Sequence, residues 1–363
     1  MLTVNELFAG IGAFRKALIN LNIPHEIVGI SEIDKYAIKS YEALYGKTRN
    51  YGDISKVDKL DYADLWTYGF PCQDISLAGL QRGIIKGETR SGLLYEVQRL
   101  LEVSALHNEL PKYLIMENVK PLVGKKFLPK FNEWLKWLDN YGYYSYWQIM
   151  NAADYGIPQK RERVVCVSIR KDLKNHFSFP KPQSLEIKFS DLLENQVDEK
   201  FYLKQETYEW FEKHSRECEE KGLSFRFSPI DKKKAEIAKT VTTKPDRIES
   251  NYIRECKRVA TLTGSKWDKY ESTARVYDTD GLCPTLTTAC GGHHEVKIMC
   301  DKSNVRKLTP RESWRLMGFN DLDFEKAQAV NSNSQLYKQA GNSIVVNVLE
   351  EVLRSLLREE DKT

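Results

Sequence analysis

One cysteine, Cys72, lies at a position where a parallel sheet would place a nucleophile. Cys72 lies in the segment GFPCQ, between a rigid proline and a polar loop that carries Arg82, Lys86 and Arg90. A thiolate is a strong nucleophile, and nearby positive charge lowers the pKa of a thiol. Most lone cysteines are buried and structural, which is our interpretation of Cys166 within an apolar strand. For Cys72 the loop position favours catalysis.

A carboxyl group and a row of polar side chains accompany two later strands. Glu117, in MENV, follows an apolar run; burial would raise its pKa, so that it could donate a proton to a ring nitrogen. The alternative is a carboxylate at a helix N-terminus. In QKRER, strand alternation puts Gln159, Arg161 and Arg163 on one side. Planar guanidinium groups suit a carboxylate, a phosphate or a base edge.

A glycine-rich turn near the start of the chain suggests a nucleoside ligand. Gly10 and Gly12 would let backbone approach a ligand at a helix N-terminus, but Arg15 replaces the third glycine of a dinucleotide site. Glu32 follows the second strand and could hold ribose hydroxyls, and Asp53 could accept from an adenine amino group. Ribose and adenine without pyrophosphate indicate S-adenosyl-L-methionine; an ordinary α/β turn is the alternative.

These residues require a sheet whose strands alternate with helices. The alternation predicts an α/β fold with a parallel sheet covered on both faces. The predicted strands are Val4–Phe8, Glu26–Ser31, Asp64–Tyr68, Tyr113–Glu117 and Val164–Ile169. The predicted helices are Ala13–Leu21, Lys35–Tyr45, Leu93–Leu106, Phe127–Asp139, Thr309–Met317 and Ile344–Leu357.

The middle of the chain differs from both ends. After Pro182 it becomes polar, with short Thr-rich runs, and residues 223–277 carry an excess of Lys and Arg that could follow a phosphate backbone or form a solvated face. We therefore predict a catalytic and cofactor-binding domain from residues 1–180 and about 325–363. A second, smaller, β-rich irregular domain would occupy residues 181–324.

Composition excludes several classes of protein. The chain has 363 residues, of which 41% are hydrophobic and 29% charged, so wholesale disorder is excluded. No apolar run is long enough to span a bilayer, and an acidic residue at position 6 without a basic region argues against a signal peptide. Seven cysteines without a C-x-x-C pair support neither a disulfide scaffold nor a zinc site, so no metal is expected. The expected protein is soluble, reduced and intracellular.

In combination, these motifs resemble those of the DNA cytosine methyltransferases that act on ring carbon 5. The matching segments, in the order of the family, are FAGIGAF, EIDKYA, GDI, GFPCQDIS, MENV, QKRER, RKLTPRESWRLMGF at 306–319 and QAGNSIVVNVL at 339–349. The resemblance implies a Rossmann-like, doubly wound methyltransferase sheet with a target-recognition domain in the middle of the chain. It also implies the cofactor S-adenosyl-L-methionine and a location in the cytoplasm of a bacterial or phage-infected cell.

The resemblance also implies a role for each catalytic residue. Cys72 would add to carbon 6 of cytosine, which makes carbon 5 nucleophilic toward the sulfonium methyl group. Glu117 would hold ring nitrogen 3 and the exocyclic amine. Arg163 would contact the base or its backbone, and Arg161 would orient Glu117 or the loop. The target base must leave the duplex for this chemistry.

Two further sets of residues follow from the same resemblance. Ile33 replaces a tryptophan that is frequent in the family, which puts adenine stacking on that side in doubt, and Ser272 stands where a glutamine often fills the space of the flipped base. The implied cofactor-binding residues are Phe8, Gly10, Ile11, Gly12, Glu32, Ile33, Asp53, Ile54, Pro71, Asn342 and Ser343. The implied DNA-binding residues are Ser76, Arg82, Arg90, Ser272, Arg275 and Thr285.

Three functions are compatible with such a chain. The first is methylation of double-stranded DNA by a monomer, with a cognate restriction endonuclease as a possible partner in the same system. The second is a tRNA cytosine methyltransferase, against which the segment TLTTACGG at 285–292 and the lack of a C-F-T element argue. The third is a catalytically silent DNA-binding relative, against which the intact Cys72, Glu117 and Arg163 argue.

Overall fold

A six-stranded sheet forms the centre of the molecule. The computed structural model describes residues 1–71, 90–173, 176–201, 258–261, 275–277, 283–284, 297–301 and 304–357. The spatial order of the strands in the sheet is β2-β1-β3-β4-β7-β5. In chain order these are β1 (Leu2–Leu7), β2 (His25–Ser31), β3 (Leu65–Tyr68), β4 (Tyr113–Val119), β5 (Tyr143–Asn151) and β7 (Glu162–Arg170), with the short β6 (Gln159–Lys160) before β7.

The first four strands are parallel; the carboxyl ends of β1, β2 and β3 are level, and β4 runs three residues further, from Met116 to Val119. Leu7 pairs with Ser31 on one side and with Tyr68 on the other, and Tyr68 pairs with Met116. The residues that follow these four strands therefore meet at one edge of the sheet, where α/β folds bind their ligands.

The last two strands depart from the predicted parallel arrangement. β7 is antiparallel to both β4 and β5, so the sheet is mixed. Only residues 152–161 separate β5 from β7, which is too short for a parallel crossover with a helix. β5 is not among the predicted strands. It lies at the edge of the sheet, and its buried, half-buried and exposed residues do not alternate regularly, so it lacks the sequence pattern of a half-buried strand.

Helices cover both faces of the sheet, as predicted. The eight helices of the described residues are α1 (Ala13–Asn20), α2 (Lys35–Tyr45), α3 (Leu94–Leu106), α4 (Leu128–Asn140), α5 (Pro310–Arg315), α6 (Asp321–Gln328), α7 (Asn333–Asn342) and α8 (Val346–Leu357). Alternate strand residues enter two hydrophobic clusters. Val4, Leu65, Ile115 and Val165 pack with α1 and with α5 to α8. Leu7, Trp66, Leu114 and Val164 pack with α3 and α4.

The last described segment of the chain completes one of these layers. The apolar side of α8 packs against α1, which confirms the expected docking of a terminal amphipathic helix. Trp314, Met317 and Phe324 belong to the same cluster, together with residues of β1 and β3. Neither α6 nor α7 is among the predicted helices. The division of the chain into two domains stays a prediction.

A second sheet occurs in the middle of the chain. Its four strands, in the order β12-β11-β9-β8, are β8 (Arg258–Thr261), β9 (Arg275–Tyr277), β11 (Lys297–Asp301) and β12 (Asn304–Lys307). A further pair, β10 (Cys283–Pro284), runs parallel to β6. That these strands form a separate recognition domain also stays a prediction. Within the described parts of the chain, no helix has the length and apolar character needed to cross a membrane.

Candidate active site

The glycine-rich turn between β1 and α1 has an unusual backbone. Phe8, Gly10 and Gly12 all have positive φ angles, of 57°, 56° and 77°. A Cβ atom at Gly12 would lie 2.6 Å from the ring of Tyr45 and 2.7 Å from that of Tyr41, so glycine is required there both for conformation and for space. Phe8 has a side chain and nevertheless adopts the left-handed conformation. Backbone strain of this kind is concentrated at functional sites.

Glu32 fastens this turn to the start of α2. Its Oε2 accepts a hydrogen bond of 2.8 Å from the amide of Gly10, and its Oε1 accepts from the amides of Ile33 and Asp34, also at 2.8 Å. A carboxylate offers about four acceptor sites, so one remains for a ligand hydroxyl. Ile33 is 72% exposed at this edge.

Asp53 lies in a turn that runs beside the end of β2. It accepts hydrogen bonds from the hydroxyl and the amide of Ser55, which lower the pKa of its carboxyl group. The side chain of Ile54 is buried in the core, so only its backbone can contact a ligand. Asn50, which the sequence analysis missed, joins the two turns: its side chain bonds both the amide and the carbonyl of Glu32.

Glu117 is a buried carboxyl group beside the chain that leads to Cys72. A Cβ atom built on Gly69 would lie 3.6 Å from Glu117 Oε2. The neighbouring Asn118 donates to the carbonyl of Phe70 at 3.0 Å, which fixes the same segment. Burial raises the pKa of Glu117, although the charges of Arg163 and Arg161 act in the opposite direction.

The two arginines of QKRER have different partners. Arg163 Nε lies 3.1 Å from Glu117 Oε1, so this pair is direct. Arg161 is 3% exposed and donates to the carbonyls of Gly341 and Ser343, at 3.0 and 2.6 Å. It therefore holds the end of α7, where Ser343 is buried and Asn342 is exposed.

Several predicted residues cannot be placed. Cys72, Ser76, Arg82, Ser272 and Thr285 lie outside the described residues, and Arg90 and Arg275 are described for their backbone alone. Pro71 is described and half-buried, directly before Cys72.

The interpretation of Cys166 as a structural cysteine is confirmed. It is 1% exposed, and burial raises the pKa of its thiol to about 12. Among the residues that the structure describes, no group of three potential ligands could hold a metal ion.

Comparison with known proteins identifies the family. The profile of the C-5 cytosine-specific DNA methylases matches residues 2–358. The chain belongs to this family. It is 36% identical to the type II methyltransferase M2.ScrFI of Lactococcus lactis subsp. cremoris, over 99% of this chain and all of that protein. It is 32% identical to the orphan methyltransferase M.SPBetaI of Bacillus phage SPbeta, over 98% and 97% of the two chains.

Solved structures of other methyltransferases have the same fold as this chain. The Entamoeba histolytica methyltransferase EhMeth has a TM-score of 0.68 at 17% identity, with 99% of both chains covered. The Dnmt2 methyltransferase of S. pombe has a TM-score of 0.64 at 21% identity, over 99% of this chain and all of that one. These likenesses concern the fold. Family membership makes this chain a DNA cytosine-5 methyltransferase, as its motifs predict.

Proposed function

We propose that this DNA cytosine methyltransferase transfers a methyl group from S-adenosyl-L-methionine to carbon 5 of a specific cytosine in double-stranded DNA, through transient addition of Cys72 to carbon 6. The observation that carries the proposal is the position of Glu117. This carboxyl group is buried, pairs with Arg163 and lies next to Gly69, three residues before Cys72. Glu117 thus lies beside the described segment that leads to Cys72, and we propose that this acid and the thiol act together on the base.

The turns around β1 and β2 fit the cofactor. A left-handed glycine turn, a carboxylate with a remaining acceptor site and a half-exposed second carboxylate suit an amino acid, a ribose and an adenine amino group. When bound, the cofactor supplies the methyl group on a sulfonium centre. The residues proposed to hold it are Phe8, Gly10, Ile11, Gly12, Glu32, Ile33, Asp53, Ile54, Pro71, Asn342 and Ser343.

The reaction follows from what the side chains can donate and accept. The Cys72 thiolate forms a bond to carbon 6 while Glu117 gives its proton to ring nitrogen 3, so no negative charge accumulates on the ring. Carbon 5 would then be able to accept the methyl group that the bound cofactor supplies, and it would lose its own proton to a base. Departure of the Cys72 thiolate restores the aromatic ring, and the proton on nitrogen 3 is released.

Arg163 and Arg161 support Glu117 in different ways. The Arg163 guanidinium touches the carboxyl group and orients it toward the base. The charge of Arg161 also favours the ionised form of Glu117. In addition, Arg161 donates hydrogen bonds to backbone carbonyls at the end of α7, the segment that carries Asn342 and Ser343. We therefore assign Arg161 to positioning the end of α7, which carries two of the proposed cofactor-binding residues, relative to Glu117.

The DNA partner accounts for the remaining motifs. The base must rotate out of the duplex to expose carbon 6, and Ser76 or another residue of the loop after Cys72 would fill its space. Arg82, Arg90, Ser272, Arg275 and Thr285 are the proposed DNA contacts. We propose a cytoplasmic monomer, with a restriction endonuclease as its possible counterpart, since one relative is named a type II methyltransferase.

A methylation assay with labelled S-adenosyl-L-methionine tests the proposal. Duplex DNA with many different sequences should accept label, and bisulfite sequencing should locate it at one cytosine of a recurring sequence. Label in tRNA but not in DNA would favour the second candidate function. Label in neither would favour a silent relative.

Two cofactor-site variants should weaken cofactor binding selectively. Glu32→Ala and Asp53→Ala each remove charge-assisted hydrogen bonds worth ~1.5–3 kcal/mol, or about ten- to a hundredfold in the dissociation constant. Glu32→Ala should have the larger effect, because its carboxylate also holds the amide of Gly10. Calorimetry with S-adenosyl-homocysteine measures both. Glu42→Ala, on the exposed side of α2, is the control; unchanged binding in both variants would place the pocket elsewhere.

Sequence choice should reside in the middle of the chain. The residues around β1, β2 and β4 must serve any cytosine, whereas residues 181–305 include most of the second sheet and the basic stretch. Replacing residues 181–305 with the segment of another family member should change which cytosine is methylated, since direct base contacts supply ~1–3 kcal/mol of discrimination each. An active chimera with the original target sequence would contradict this assignment.

A further inference from the structure

Glu6 is a buried carboxyl group that the reaction does not use. It lies on β1, directly before Leu7 and the glycine turn, and is 1% exposed. Its Oε2 accepts a short hydrogen bond from the hydroxyl of Tyr41 on α2, and its Oε1 accepts one of 3.1 Å from the amide of Arg15 in the first turn of α1. One side chain therefore joins the three elements that surround the glycine turn.

The partners of Glu6 extend to the turn itself. The Tyr45 ring packs edge-on against that of Tyr41, and its hydroxyl donates to the carbonyl of Gly12 at 2.9 Å. The Arg15 guanidinium lies over the Tyr45 ring, 4.9 Å from its centroid. We call Glu6, Arg15, Tyr41 and Tyr45 the Glu6 cluster.

The helix α2 contacts the glycine turn at both of its ends. Before its first turn, Glu32 accepts from the amide of Gly10; near its last turn, Tyr45 donates to the carbonyl of Gly12. The position of α2 thus decides the shape of the turn, and Glu6 is the group on β1 to which α2 is bonded through Tyr41.

We propose that ionised Glu6 is a positioning residue, which holds the glycine turn in the shape that binds the cofactor, and that its protonation loosens the turn and weakens cofactor binding. The inference rests on the proposed cofactor site. A carboxylate accepts from both Tyr41 and Arg15, whereas a protonated carboxyl group carries a donor that opposes one of these donors. The hydrogen bond at the protonated oxygen is then weakened or reversed.

The surroundings of Glu6 place this change near neutral pH. Burial raises the pKa of Glu6 to about 7. The hydrogen bonds from Tyr41 and the Arg15 amide, together with the charge of Arg15, lower this pKa but do not outweigh burial. On the neighbouring strands, its register partners are Ile30 and Thr67, which do not titrate. Tyr45, within the cluster, also carries a titratable hydroxyl; among the described residues, the charged groups beside the cluster are Asp323 on α6 and Lys16 on α1, which pair at 2.7 Å.

The affinity for S-adenosyl-homocysteine as a function of pH tests the inference. For a group with a pKa of about 7, binding restricted to the ionised form weakens about tenfold between pH 8 and pH 6. Glu6→Gln has no charge to titrate, so its binding should be weak at pH 8 and flat across this range. Tyr41→Phe removes a hydrogen bond that favours the ionised form, so the midpoint should move to higher pH.

The controls separate this inference from the proposed function. Tyr144→Phe, on the exposed side of β5, should keep the wild-type profile. A wild-type dissociation constant that does not change with pH, or variants that keep the wild-type midpoint, would overturn the role of Glu6 and leave the proposed function intact. Lack of binding at every pH would overturn both. If Glu6→Gln does not fold, the midpoint of Tyr41→Phe decides.

Discussion

Replacing Cys72 with serine is expected to reduce methyl transfer at least a thousandfold while cofactor and DNA binding persist. A hydroxyl occupies nearly the same volume, but its pKa is far too high for it to add to carbon 6 at a useful rate. Single-turnover methylation of labelled duplex DNA measures the loss. Turnover within tenfold of the wild type would remove Cys72 from the role of nucleophile.

The covalent step can be trapped with a fluorinated substrate. Duplex DNA with 5-fluorocytosine at the target should form an adduct that survives denaturing gels only when the cofactor is present, because fluorine cannot leave carbon 5 as a cation. Cys72→Ser should form none. Cys166→Ala is the matched control: its thiol is buried, with a pKa raised to about 12, so the variant should still form the adduct at some cost in stability. An adduct with Cys72→Ser would identify another nucleophile.

Glu117→Gln should lower kcat by about 10²–10⁴, the usual contribution of a positioned general acid, with little change in the affinity for DNA or cofactor. The amide keeps the shape of the carboxyl group but cannot transfer its proton to the ring. Burial raises the pKa of Glu117, so the wild-type group stays protonated to higher pH than an exposed glutamate. We therefore expect the contribution of Glu117 to fall as the pH rises above that raised pKa, and the Gln variant to lack this dependence.

The matched control for this variant lies on the adjoining strand. Glu162, next to Arg163, forms a partly exposed ion pair with Lys120 at 2.9 Å. Such pairs contribute ~0–1 kcal/mol, so Glu162→Gln should retain the wild-type kcat. A Glu117→Gln enzyme with unchanged kcat and a raised KM for DNA would show that Glu117 binds the base without acting as an acid.

The sequence alone determined where the strands of the parallel part of the sheet end along the chain. Buried parallel strands are continuous apolar runs, so four strand ends could be located to within about two residues, together with the polar residues that follow them. The bounds of α2 were predicted as Lys35–Tyr45 and agree with the structure. Such features depend on residues that are close together in sequence. Examples are the periodic apolar residues of the helices, the capping residue Asp34 and the glycines of the first turn.

The tertiary structure decided the features that depend on distant partners. Arg161 was expected to orient Glu117 or the loop; its charge acts on Glu117, and it also donates to the carbonyls of Gly341 and Ser343, about 180 residues away, which no local pattern predicted. The return of β7 in the antiparallel direction, the bridge made by Asn50 and the bonding of Glu6 to Tyr41 were equally absent from any local pattern. The reason is physical. A buried polar group needs a hydrogen-bond partner, but neither its residue type nor its position in the sequence identifies which of the neighbouring groups in the folded chain is that partner.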